Sequence, residues 1–168
     1  SHGADVDKGD TNQRTPLHAA SQKGLLDIVE YLISQGADIN QESTTGWTAL
    51  HSASLNGHIE TLEYLISQGA DVTRNTNDGE TALHSASMKG QVRAVKYLIS
   101  QGAEVNIKIK DGYTALHIAS QNGHLDVVKY LLSEGAQVNN KCKDGWTALL
   151  IASQNGHLDV VKYLISQG

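Results

Sequence analysis

The chain repeats itself every 33 residues. The stretch Thr114 to Gly135, TALHIASQNGHLDVVKYLLSEG, falls on another copy of itself when it is moved by that interval in either direction. Residues 114–130 and 147–163 differ only where His117 gives way to Leu150, and earlier copies begin TPLH at Thr15, TALH at Thr48 and TALH at Thr81. A fixed period of this size predicts a solenoid in which each unit touches only its neighbours, so a single globular core is excluded. The glycines obey the same rule. Of 16, all but Gly9 fall at three repeat positions: the Gly3, Gly36, Gly69 series, the Gly24, Gly57, Gly90 series, and the Gly46, Gly79, Gly112 series. The backbone therefore turns three times per unit.

Five periods of 33 plus three residues account for all 168. Five units exceed the three or so that a stacked core needs. The reading divides the chain into a partial finger over 1–9, four units over 10–42, 43–75, 76–108 and 109–141, and a shortened unit over 142–168. Because the array enters mid-unit, the expectation is a fragment of a longer one. A net charge of −5 speaks against a general polyanion binder. The single Cys142, the lack of an Asn-x-Ser/Thr sequon and the lack of a membrane-length apolar run together suggest a cytoplasmic protein.

Within a unit the local chemistry is legible. Thr114 suits a helix N-cap, and Pro16, one position further along in the first unit, suits N1. A helix of about nine residues should end at Gly123. A second, from His124 to about Glu134, places Leu125, Val128, Leu131 and Leu132 on one face. Ala136 to Asn139 should then run extended to a turn at Lys143-Asp144-Gly145. Helices this short are marginal alone, so stacking must stabilise them. Ala53, Ala86, Ala119 and Ala152 would allow close approach.

TPLH or TALH, then a G-H-L-D-x-V segment, then G-A-D-V-N at a period of 33 resembles the ankyrin repeat over residues 3–168. The resemblance implies an all-α solenoid of helix-turn-helix units with projecting β-hairpin fingers. It further implies a concave face of fingers and inner helices that binds macromolecules, with no catalysis and no cofactor. By the same resemblance the motif histidines hydrogen-bond threonine and backbone. This sequence departs from the pattern at several points. Gln13 replaces a finger-tip glycine, which predicts a distorted or loose first finger. Ser21, Ser54, Ser87, Ser120 and Ser153 stand where the family usually has a second alanine. Leu150 replaces the last motif histidine, and no polar cap covers the final apolar face.

Histidine recurrence invites a metal reading, with His51/His58 and His117/His124 as pairs. A glycine separates each pair, and equivalent histidines in neighbouring units are spaced like packed helices, about 8–10 Å. Zinc needs its nitrogens at about 2 Å, so a structural role is expected. Cys142 has no repeated base beside it, and no phosphate loop or paired carboxylates occur, so no enzyme is expected.

The informative residues break the repeat. After the finger tips these are Arg14, Trp47, Glu80, Tyr113 and Trp146. Before the inner-helix glycine the pairs are Gln22-Lys23, Leu55-Asn56, Met88-Lys89, Gln121-Asn122 and Gln154-Asn155. Both rows should face the groove, and the aromatics and Arg14 are the residue types of binding hot spots. Trp47, Leu55 and Met88 form one expected anchor; Tyr113, Trp146 and Lys108, Lys110, Lys141 and Lys143 form another. The basic end suits an acidic or phosphorylated peptide, whereas the net charge speaks against nucleic acid. Packing of the aromatics on neighbouring fingers is the competing reading. Tyr31, Tyr64, Tyr97, Tyr130 and Tyr163 read as framework. The expected role is a protein-binding module, monomeric and away from membranes, able to stack end to end at high concentration. A structural spacer in a longer array and an engineered ankyrin scaffold stand as alternatives.

Overall fold

The computed structural model describes residues 3–167; Ser1, His2 and Gly168, which the repeat reading places at the ends of the array, lie outside the described residues. Helix pairs follow one another along the chain: α1 (Pro16–Lys23) and α2 (Leu26–Ser34), α3 (Ala49–Asn56) and α4 (Ile59–Ser67), α5 (Ala82–Met88) and α6 (Val92–Ser100), α7 (Ala115–Gln121) and α8 (Leu125–Ser133), α9 (Ala148–Gln154) and α10 (Leu158–Gln167). The odd-numbered inner helices pack on one another in series, the even-numbered outer helices do likewise, and each inner helix packs on its own outer partner.

Thr15, Thr48, Thr81 and Thr114 each start an inner helix from an extended conformation and close a capping box with the histidine three residues on. The imidazole takes the place usually held by Glu or Gln. Inner helices approach closely because Ala53, Ala86, Ala119 and Ala152 are fully buried between them. On α8, Val128 and Leu131 are fully buried as the 3.6-residue period predicts, but Val127 is as well, while Leu125 and Leu132 are half-buried. The outer helix contacts its own inner helix and both neighbouring outer helices, so its buried stripe is wider than a single amphipathic face.

Gly90 shows why a turn position admits only glycine. Its φ is +68°, and a Cβ there would lie 2.6 Å from Nδ1 of His124. The ring of the next repeat occupies the space a side chain would need.

The fingers differ from the expectation in two ways. Among the described residues there is no strand, only an isolated antiparallel bridge between Asn75 and Thr81. Each tip is instead a short loop closed by two backbone bonds, Ser43 N–H to Trp47 O and Gly46 N–H to Ser43 O, both 2.9 Å, with the same pair repeated at Thr76/Glu80/Gly79 and Cys142/Trp146/Gly145. Successive tips are tied sideways, Asn77 N–H to Thr45 O at 2.9 Å and Lys110 N–H to Asp78 O at 2.8 Å. The segment from Ala136 is also not extended throughout, because Val138 and Asn139 form a turn closed by Asn140 N–H on Gln137 O at 3.2 Å.

The first finger is not distorted. Gln13 adopts φ +60°, the left-handed conformation of Gly46 and Gly79, and keeps the Asp10 N–H to Arg14 O closure at 3.1 Å. The stack imposes this geometry on a residue that disfavours it. Gln13→Gly should therefore raise stability by about 0.5–1 kcal/mol. Urea unfolding measures this, and an unchanged or lower midpoint would contradict it.

Candidate recognition face

Every motif histidine is bonded at both ring nitrogens. In His51, Nδ1 accepts the Thr48 N–H at 3.2 Å and lies 2.8 Å from the Thr48 hydroxyl, while Nε2 donates to Glu80 O at 3.0 Å in the next repeat. A backbone N–H only donates and a carbonyl only accepts, so this ring is the neutral Nε2–H tautomer. His18, His84 and His117 repeat the arrangement towards the carbonyls of Trp47, Ile107 and Asn140. Burial is the main cause that pushes the His51 and His84 pKa down to about 4, with smaller opposition from the carbonyl bond. The second row points the other way, His58 to Gln22 O at 3.0 Å and His124 to Met88 O at 3.0 Å. His18 and His51 thus tie their units to the next one, His84 and His117 close on their own units, and His58 and His124 reach back to the preceding unit. Among the described residues no group of three or more His, Cys, Asp or Glu is placed to hold a metal ion. Cys142 is a buried free thiol.

The sequence-predicted recognition residues lie along the finger and inner-helix side, and three of them meet. Arg14, Trp47 and Leu55 line one hollow of about 260 Å³, together with Gln22, Thr45, Ser52 and Asn56. Trp47 is half-buried; its indole N–H donates to Ser52 Oγ at 2.9 Å and its ring lies 5.1 Å from that of His51. The guanidinium of exposed Arg14 donates to the side-chain oxygen of Gln22. Met88 sits one repeat further on and is not part of the hollow, contrary to the expected Trp47, Leu55 and Met88 anchor. The sequence reading omitted Ser52 and Thr45. A signal for Ser52 was present in the serine five residues after the tip residue in two successive units: Ser52 accepts from Trp47, and Ser85 donates to Glu80 at 2.9 Å.

Glu80 is half-buried, and burial raises its pKa despite the Ser85 bond. Tyr113 lies against His117 with ring centroids 5.6 Å apart, and Trp146 is half-buried. Trp47 and Tyr113 thus pack in part against the motif histidines of their own units. Gln121 and Lys143 are exposed. Lys110 pairs with Asp78 at 3.3 Å and Lys108 donates to Lys141 O at 3.3 Å, so the basic end is less free than its composition implies. Tyr64, Tyr97, Tyr130 and Tyr163 pack against the core as framework, whereas Tyr31 on the first outer helix is 65% exposed.

A stack of helix pairs with laterally tied fingers and an irregular inner face defines a repeat solenoid of the recognition type. The family model described as Ankyrin repeats (3 copies) matches residues 40–109 and 104–168, and that described as Ankyrin repeat matches residues 12–44. The chain belongs to the ankyrin-repeat family. Repeats of this family are generally protein–protein interaction modules and are typically not enzymes. Comparison with the curated proteins found no match. Among the described residues no helix is long and apolar enough to cross a membrane.

Proposed function

We propose that this chain recognises a protein or peptide through its finger and inner-helix face, without catalysis, as a monomer in the cytoplasm. The observation that carries the reading is that Arg14, Trp47 and Leu55, from two rows that differ from unit to unit, converge on one hollow. The surface is preformed: Trp47 is held by Ser52 and His51, so a partner meets an aromatic that has already lost its rotamer freedom. Glu80, Met88, Lys110, Tyr113, Gln121, Lys143 and Trp146 extend the same face.

Trp47→Ala or Trp146→Ala is expected to weaken a partner by more than about 1 kcal/mol while the array stays folded. The check is an unbiased pull-down with the wild type beside a Trp47→Ala/Tyr113→Ala/Trp146→Ala variant, both first confirmed helical by circular dichroism. Material held by the wild type and lost by the variant supports recognition through this face. Equal retention, or none by either protein, favours the spacer reading, to which the internal bonding of Trp47 lends its own support.

A further inference from the structure

The hollow between the first two fingers carries a more specific chemistry. Its lining contains one charge, Arg14, and no acidic side chain. Arg14 has no ion pair among the described residues, whereas Arg74 pairs with Glu42 at 2.7 Å and Lys110 with Asp78 at 3.3 Å. The nearest carboxylate in sequence, Asp10, feels the Arg14 charge but forms no ion pair with the guanidinium. Its Oδ1 accepts the Asn12 N–H at 2.8 Å and the Arg14 N–H at 3.0 Å in the finger turn. The guanidinium is bonded to the oxygen of Gln22, which leaves the Gln22 amide N–H groups as additional donors beside it. The same hollow is lined by the ring of Trp47, held by Ser52 and His51, and by the half-buried side chain of Leu55.

We propose, resting on the recognition role of this face, that the hollow receives a peptide segment in which an aspartate or glutamate carboxylate lies next to an apolar side chain. The carboxylate meets the Arg14 fork and the Gln22 amide, and the apolar group packs between Trp47 and Leu55. An arginine whose partner is a neutral amide keeps its full capacity for a bidentate carboxylate. At about 260 Å³ the hollow falls below the roughly 300–1,000 Å³ usual for whole small-molecule sites, so it takes one or two side chains of a longer segment. This site is separate from the basic fingers at the other end of the array. There Lys110 already has a carboxylate beside it.

The test uses the two indole N–H resonances, one each from Trp47 and Trp146, in the isotopically labelled chain, assigned through single Trp→Phe variants. The probes are acetyl-Gly-Leu-Glu-Leu-Gly-amide and the same peptide with glutamine or lysine in place of glutamate. The glutamate peptide should shift Trp47 saturably, at least about fivefold more tightly than the glutamine peptide, with the lysine peptide weaker still. Arg14→Gln, a change at an exposed side chain, should erase the difference between glutamate and glutamine. Equal response to both peptides, no response to any of them, indifference to Arg14→Gln, or a Trp146 shift at the same concentrations overturns the proposal. A lysate partner lost by the triple aromatic variant but kept by Arg14→Gln would remove the carboxylate inference and leave recognition by this face intact.

Discussion

Lowering the pH from 7 to about 4 should cost this protein a large part of its stability, chiefly through its buried histidines. His51 and His84 are each 1% exposed and held as neutral tautomers, with folded pKa values of about 4 against 6.5 in an ordinary environment. Between those values the unfolded chain binds protons that the folded chain refuses, so stability is complete above about 6.5 and falls as pH drops towards 4. Each ring contributes on the order of 3 kcal/mol to that loss. His18 and His117, shifted in the same direction mainly by burial, add to it. Glu80 works against it, because its raised folded pKa returns some stability as it protonates. Asp10 and Asp71, lowered chiefly by hydrogen bonds to their own turns, extend the loss to more acid pH. Urea unfolding at several pH values measures the slope. The control is His51→Leu/His84→Leu, which copies the leucine that this chain itself carries at Leu150: it should be less stable at pH 7 and depend much less on pH. A wild type with no slope between pH 6.5 and 4.5 would refute the assignment of these rings.

The serines that replace the second alanine of the motif make the second large prediction. Ser21, Ser87 and Ser120 are fully buried and their hydroxyls have no hydrogen-bond partner, whereas Ser54 and Ser153 donate to the carbonyls of Leu50 and Leu149 at 2.7 Å. A buried hydroxyl without a partner costs about 1–3 kcal/mol, and alanine is also the better helix former. Ser21→Ala/Ser87→Ala/Ser120→Ala should therefore stabilise the array by roughly 2–4 kcal/mol. Ser54→Ala/Ser153→Ala should change little, since the bond lost there offsets the propensity gained. If the two sets of variants shift the urea midpoint equally, helix propensity alone explains the effect.

Much of this molecule is local and therefore legible without coordinates. Thr48 and His51 are three residues apart, so their capping box is visible in TALH; the glycine after each inner helix marks the left-handed turn; the Leu and Val spacing marks the outer helices. The finger was less legible. Its closure depends on backbone bonds within a short loop rather than on a strand pattern, and the Gln13 substitution misleads because the neighbouring unit, tied by Thr44 N–H on Asn12 O at 2.9 Å, holds the turn in place.

The period, the two helices per unit, the cap positions and the rows in which variation accumulates can all be read from the order of residues, because each depends on groups a few positions apart. Which residues from different units share a surface emerges only once the units are stacked. Arg14 and Trp47 stand 33 positions apart and reach one hollow through stacking, while Met88, one unit beyond, does not. The same holds for the neutral state of His51, which burial within the stack imposes against the smaller opposing effect of the Glu80 carbonyl. That burial depends on packing between units, where sequence separation carries no distance information.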